Sequence, residues 1–399
     1  MDILFKNVPQ YGCVGVSWDV ITHIGEEVPA KRVIDLKGKI LIPGFINTHT
    51  HIPMTLMRGR ADDLNLQDWL FNHIFPIEEK LTREDVYWGS QLALCEMIRG
   101  GTTCFSDMYF FEDAVAQAVA EAGIRANVSW CFSGEEFNAE RQLDMIDQYK
   151  EHELITVEAS LHSVYTSSRR YMERAAEFAA EHRLNMHVHV SETQRENDEC
   201  ILKHCMTPTM LLKEMGYFKT RTNIAHGVYL TDQDIEFLQT QDVSISHNPT
   251  SNLKLASGIM PIYEGINISL GTDGAASNNR LDMLGEMRLC ALLHKGIKGD
   301  PQAVPAQMAL DMATENGART LGLDMVGKIE VGYKADLVIM DCDKPHMTPH
   351  FCPVSAVVYA AEASDVESVM VNGKFLMEKR EFKTLDWEKI KFNIERIKI

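Results

Sequence analysis

From residue 45 onward, short apolar runs rich in β-branched residues alternate with stretches of helical periodicity. After the Pro43-Gly44 turn, the runs FINTH, TTCFSD, RANVSWC, TVEASLH, NMHVH, TNIAH, VSISH and ISLGTD predict strands ending at His49, Asp107, Cys131, His162, His189, His226, His247 and Asp273. Between them, Ala114, Val115, Ala118, Val119 and Ala122 form one apolar helical stripe with Gly123 as its stop. Thr207-Pro208 reads as an N-cap followed by proline at the first helical position, and Thr231 with Asp234 as a capping box. Strands alternating with helices predict a parallel sheet, and eight such units predict closure into an α/β barrel of the (β/α)8 TIM type over residues 43–327. Residues 1–42 and 328–399 depart from that rhythm. Segments such as VIDLKGKILIPG, GKIEVGYKADLVIMD and VESVMVNGKFL predict a small β-sandwich built jointly from the two termini, and 300–323 reads as helices bridging it to the barrel.

Composition narrows the function classes. The 399 residues carry a net charge of −18, which argues against a nucleic-acid polymer or an anionic membrane surface as partner but leaves room for a single nucleoside. Nine cysteines without a C-x-x-C pair predict reduced thiols in a cytoplasmic protein, and the N-terminus has no signal-peptide pattern. No apolar run is long enough to span a bilayer, so the expectation is a soluble protein. If it assembles, a homo-oligomer is the default form.

Polar residues at the C-terminal ends of barrel strands face the mouth where such barrels do chemistry. His49 and His51 are two apart on a strand, so both side chains point the same way and can share one cation. In MHVHVSET, His187 and His189 also share a face, and the pattern leaves open which one binds metal. His189 is chosen as nearer the mouth, with His187 deeper. Asp273, in SLGTDGAASNN, is the fourth candidate ligand, and Glu192 lies just beyond the fifth strand, within reach of a substrate. Three imidazoles and one carboxylate leave a position for water, which suits zinc and tolerates iron or another late divalent metal.

The stretches PGFINTHTH, HVHVSET, IAHG, SHNPTSNLKLASG and GTDGAASNN resemble the amidohydrolase superfamily, and more narrowly its 5-methylthioadenosine/S-adenosylhomocysteine deaminases. The resemblance spans about 40 to 340, and VGYKADLVIMD resembles that family's β-sandwich. It implies metal ligation by His49, His51, His189 and Asp273. It gives Glu192 the ring-nitrogen proton, and it gives His226 the orientation of the attacking water. It places Trp69, Glu78, His162 and Ser277 against the substrate. The fourth strand departs from the family's APHAPYTCS, reading ASLHSVYTSS, although His162 remains. Binuclear members carry a lysine at the end of that strand. Here none stands there, so one divalent metal per chain is expected.

The expected reaction is hydrolytic deamination of an adenosine-type nucleoside, with Asp273 relaying a proton to the departing amine. The zinc nucleobase-deaminase signature is absent, as are the dinucleotide, P-loop, serine-hydrolase and H-E-x-x-H motifs. The alternatives are a related one-metal hydrolase acting on guanine, cytosine or a chlorinated triazine, and a non-enzymatic scaffold that would be expected to have lost ligands. A substrate with a homocysteine tail needs a carboxylate clamp. The segment SWCFSGEEFNAERQ offers only Arg141 for it, among Glu135, Glu136 and Glu140. An uncharged 5′ substituent is therefore expected to be preferred, with Arg141 turned either toward substrate or to the outer face of its helix.

Overall fold

A computed structural model describes residues 1–134 and 137–399; Glu135 and Glu136, part of the segment read for a carboxylate clamp, lie outside the described residues. The central strands are β6 (Phe45–Thr50), β7 (Thr102–Tyr109), β8 (Arg125–Trp130), β9 (Ile155–Val157), β10 (Ala159–Leu161), β11 (Met186–Val190), β12 (Thr222–His226), β13 (Val243–His247) and β14 (Asn267–Leu270). They form two sheets, β6-β7-β8-β9 and β10-β11-β12-β13-β14, in which every neighbouring pair is parallel. Sequence order is spatial order throughout, as it must be when each strand is followed by a helix that returns the chain to the same edge.

The fourth predicted strand is split. Glu158 interrupts it between β9 and β10, yet its amide still donates to Val128 O at 2.9 Å, and His162 N donates to Phe132 O at 2.9 Å. At the other end, β14 packs against β6, and Asp273 N donates to His49 O at 2.9 Å. The helices Glu112–Ala122, Pro208–Met215 and Asp232–Leu238 occur where periodicity and caps placed them. Gly123 adopts φ +73°, the left-handed stop that favours glycine. The bridging stretch holds Ala306–Met312 and Glu315–Leu321.

Ahead of the central strands lie β1 (Ile3–Val8), β2 (Gly12–Ser17), β3 (Val20–Gly25), β4 (Arg32–Asp35) and β5 (Lys39–Pro43). After them come β15 (Leu337–Asp341), β16 (Val366–Val371), β17 (Lys374–Glu378) and β18 (Glu381–Phe382). One sheet runs β3-β2-β1-β4; the other, β18-β17-β16-β15-β5, joins the two chain ends through the antiparallel pair of β5 and β15. Period-two alternation gives this second sheet two apolar faces. Leu41, Leu337, Ile339 and Met370 pack against Phe5, Val14, Val16 and Ile21 of the first sheet. Ile40, Ile42, Val338, Met340, Val369 and Val371 belong to the large core of the parallel strands. The C-terminal sheet is thus a shared layer, and strands apolar on both faces read as continuous runs rather than alternating ones. The tail also ends in a helix, Trp387–Ile394, packed on Arg83–Arg99, which its β-rich reading did not anticipate.

One ion pair ties the layers together. Arg125, at the start of β8, reaches Asp336 at 2.9 Å with both side chains almost fully buried, and Asp336 also accepts from Asn372 N at 2.7 Å. Removing one member of a buried pair strands the other charge in low dielectric, at a cost of about 3–5 kcal/mol. Asp336→Ala should therefore lower the guanidinium unfolding midpoint by an amount corresponding to a loss of roughly that size. A midpoint equal to wild type would show that the pair is not the tie.

Candidate metal centre and its cavity

Four histidines and one aspartate converge where the parallel strands end. His51 Nε2 lies 3.2 Å from His189 Nε2, and His49 and His51 each bring Nε2 to 3.4 Å from Asp273 Oδ1. His49, His189 and His226 can also offer ligand atoms within 4.8 Å of one another. His49 Nε2 is buried without a hydrogen-bond partner. A buried lone pair facing other lone pairs is what a cation would satisfy, and the donor set, three or four imidazoles with one carboxylate, suits a late divalent metal.

The rings are aimed from behind. His51 Nδ1 sits 2.7 Å from Met108 O, and His189 Nδ1 sits 2.7 Å from His162 O. A ring nitrogen facing a carbonyl must carry the proton, which leaves Nε2 as the lone pair toward the centre. His49 Nδ1 instead meets His187 Nε2 at 2.9 Å, and His187 Nδ1 meets Ser106 Oγ at 3.1 Å. Ser106 in turn donates to Glu158 Oε2 at 3.1 Å, and Glu158 also accepts from Asn127 at 2.7 Å and Asn185 at 3.1 Å. The structure thus separates the two histidines of β11: His189 faces the centre, and His187 lies beneath it as the orienter of His49.

Burial lowers the pKa of His49 to about 4 and that of His189 well below the ordinary imidazole value, so both stay neutral. Asp273 moves the opposite way from most buried acids. Burial would raise it, but the imidazoles of His49, His51 and His226 around it hold it well below the usual carboxylate range. Its Oδ2 accepts from Ser251 at 2.6 Å and Ser277 at 2.9 Å, and its Oδ1 accepts from Gly274 N at 2.8 Å. Burial and the Asp273 charge raise Glu192, whose Oε1 accepts from Ser257 at 3.0 Å. Burial alone would lower His226, but Glu192 and Asp273 raise it. Its Nε2 is 3.7 Å from Glu192 Oε2, and its Nδ1 is 2.7 Å from Asn252 Oδ1.

Next to this centre opens a narrow recess. Met54, Leu66, Leu70, Phe75 and Leu255 supply its apolar wall, and Trp69, Glu78, His162, Glu192, His226 and Asp273 also line it. Trp69 Nε1 and Glu78 Oε1 are buried without hydrogen-bond partners. Burial pushes the Glu78 carboxyl up to about 7, against the Tyr109 hydroxyl beside it.

Two expected substrate contacts are not brought to the cavity wall. Ser277 is fully buried behind Asp273, which takes its hydroxyl proton. Arg141, in the first turn of Glu140–Tyr149, lays its guanidinium 4.8 Å from the Trp130 ring centre in a separate outer groove with Arg83 and Asp144. Stacking on an aromatic face satisfies that guanidinium, so it has no pull toward the mouth. Sequence reasoning also missed Tyr109, Tyr165, Ser257, Asn252 and Glu158. Only Glu158 left a trace, as a carboxylate inside the otherwise apolar ITVEASL.

Comparison with known proteins agrees with this geometry. The model of the amidohydrolase family matches residues 40–376. A 5-methylthioadenosine/S-adenosylhomocysteine deaminase of Thermoanaerobacter pseudethanolicus is 47% identical over 99% of this chain and 98% of its own. One of Dictyoglomus thermophilum is 47% identical over 95% and 92%. Among solved structures, an adenosine deaminase from Xanthomonas campestris with bound zinc superposes with a TM-score of 0.93 at 34% identity, covering 99% of this chain and 97% of that one. An atrazine chlorohydrolase from Arthrobacter aurescens, at 24% identity and a TM-score of 0.90 over 98% and 99%, shares the fold. With its centre of histidines and aspartate at the strand ends and a family match over most of its length, the chain belongs to the amidohydrolase family.

Proposed function

We infer that this protein is a metal-dependent hydrolase that deaminates an adenosine-type nucleoside, 5′-methylthioadenosine or S-adenosylhomocysteine, to the inosine product and ammonia. The observation that carries the reading is a convergent His/Asp centre beside a buried, protonatable glutamate, in a chain that matches deaminases of that name over nearly its whole length. The triazine and guanine enzymes of similar shape are 22–24% identical and speak for the fold alone. In this reading residues 43–327 close into one eight-stranded barrel, and 1–42 with 328–399 form the companion β domain. The unbroken parallel order and the β14–β6 contact support it. The nine unpaired cysteines fit a cytoplasmic setting. Among the described residues no helix is long and apolar enough to cross a membrane.

His49, His51, His189 and Asp273 would hold one divalent ion, zinc in this reading, which when bound supplies an activated water as nucleophile. Glu192, whose proton burial helps to retain, donates it to the ring nitrogen beside the amino-bearing carbon, making that carbon more electrophilic. Asp273 and His226 hold the attacking water in line. As the C–O bond forms, Asp273 takes one proton of the water and passes it to the amine; the C–N bond breaks to release ammonia, and the new hydroxyl returns its remaining proton to Glu192 as it becomes the carbonyl. Trp69 and Glu78, each with an unpaired buried polar atom, meet the sugar, and His162 meets the base or the sugar edge. Fixed groups in a water-poor recess cost no reorganisation at the moment of reaction.

Glu192→Gln keeps the shape but removes the proton, so kcat should fall by about 10²- to 10⁴-fold while metal content, measured by elemental analysis, stays at the wild-type level. Near-normal turnover would remove Glu192 from the mechanism.

No lysine or arginine lines the recess among the described residues, whereas Glu78 and Glu192 do. A substrate tail ending in a carboxylate finds no counter-charge there, so kcat/KM should be higher for methylthioadenosine than for S-adenosylhomocysteine. Arg141→Ala should leave both values unchanged. A wild-type preference for S-adenosylhomocysteine that collapses in Arg141→Ala would make Arg141 the clamp after all.

A further inference from the structure

A second group of metal-ligating side chains lies apart from the mouth. β13 ends at His247, and the helix Met283–Lys298 presents Cys290 and His294, four residues apart and therefore on one face, against it. All three are buried, with 0%, 0% and 2% of their surface exposed. Their ligand atoms lie within 4.8 Å of one another, and the two imidazole Nε2 atoms are 3.3 Å apart. His247 thus turns its Nε2 to His294, while its Nδ1, on the other side of the ring, has no hydrogen-bond partner. We propose that His247, Cys290 and His294 bind a zinc-like, thiophilic divalent cation, in addition to the ion at the mouth.

The spacing suits a cation. Two imidazole nitrogens bound to a tetrahedral zinc at about 2.0–2.1 Å stand roughly 3.3–3.4 Å apart, which is the separation already present. Without an ion the two rings share a hydrogen bond at that 3.3 Å. A bound sulfur would stand at about 2.3 Å from the ion. Burial pushes the Cys290 thiol up to about 12, so without a cation it stays protonated; binding ionises it and releases one proton per ion. Glu286 is the carboxylate facing Cys290, with Lys295 opposing it, and Lys298 is the cation nearest His294. One thiolate offsets half the charge of a divalent ion; burial pushes Glu286 itself up to about 7.

The role is structural. An ion there clamps the end of β13 to the helix Met283–Lys298. Neither Cys290 nor His294 lines the recess.

Sulfur makes the test specific, because the mouth set contains only nitrogen and oxygen donors. Full-length protein loaded with two equivalents of zinc should show a sulfur scatterer at about 2.3 Å in zinc-edge X-ray absorption. Cobalt-loaded protein should show a thiolate-to-cobalt charge-transfer band in the near ultraviolet. Cys290→Ala and His294→Gln should each lose that signal and one equivalent of metal while keeping the mouth ion and the deaminase rate. Variants of the exposed cysteines, Cys205→Ser and Cys352→Ser, should keep it. A wild-type protein without sulfur around its metal overturns the proposal, whether or not any variant folds. So does a sulfur signal that survives in Cys290→Ala.

Discussion

Everything at the mouth follows from the mutual repulsion of lone pairs in a dry site. Imidazoles aimed Nε2-first at one point bring their lone pairs face to face. Left alone, each ring would rotate to pair its Nε2 with a donor, since an unpaired buried polar atom costs about 1–3 kcal/mol. The protein prevents this by anchoring Nδ1 of every ring: on Met108 O, on His162 O, and on the His187–Ser106–Glu158 chain. The centre is therefore organised for a cation by groups one layer out. Glu158 shows how far that layer extends. It breaks the fourth strand into β9 and β10, and its carboxylate secures the far end of the chain that orients His49.

The backbone bears part of the same load. His226 and Asp273 stand at φ +73° and +62°, a left-handed conformation that non-glycine residues seldom adopt and that costs on the order of 1–3 kcal/mol each. Both occur where a strand has ended and the next side chain must turn into the mouth. The loop carrying Asp273 reaches His49 only because Gly271 has no side chain: a Cβ there would lie 2.9 Å from His49 Cβ and 2.4 Å from Asn248 Oδ1. Strain and close approach at this loop are the local consequence of seating a carboxylate just beyond β14 beside histidines at the end of β6.

The strand ends were legible because they follow from periodicity of two and from turn chemistry, both local properties. His49, His51, His189 and Asp273 come together for the same reason: in a parallel sheet, a residue's place at a strand end decides which way it faces. The two-faced C-terminal sheet was not legible, since Val338 and Ile339 are both apolar yet serve different cores, and one sequence cannot say so. Nor was the orientation of Arg141, which depends on how the first turn of its helix meets Trp130 and Phe111. Ser251, Ser257, Asn252 and Ser277 escaped their proper role for a further reason. Small polar residues in loops are common, and only tertiary contact shows that these four hold Asp273, Glu192 and His226 in place.

Two carboxylates within one mouth are pushed in opposite directions, and that divergence separates their roles. Asp273 is surrounded by donors, from Ser251, Ser277 and Gly274 N, and by imidazoles, so its charged form is the stable one. Glu192 has one hydroxyl donor, with His226 and the negative Asp273 nearby, and burial outweighs His226 to raise it. An acid that stays ionised can hold a cation; one that resists ionisation can deliver a proton near neutral pH. In the proposed mechanism these roles are set by the neighbours: Ser251 and Ser277 beside Asp273, Ser257 and His226 beside Glu192.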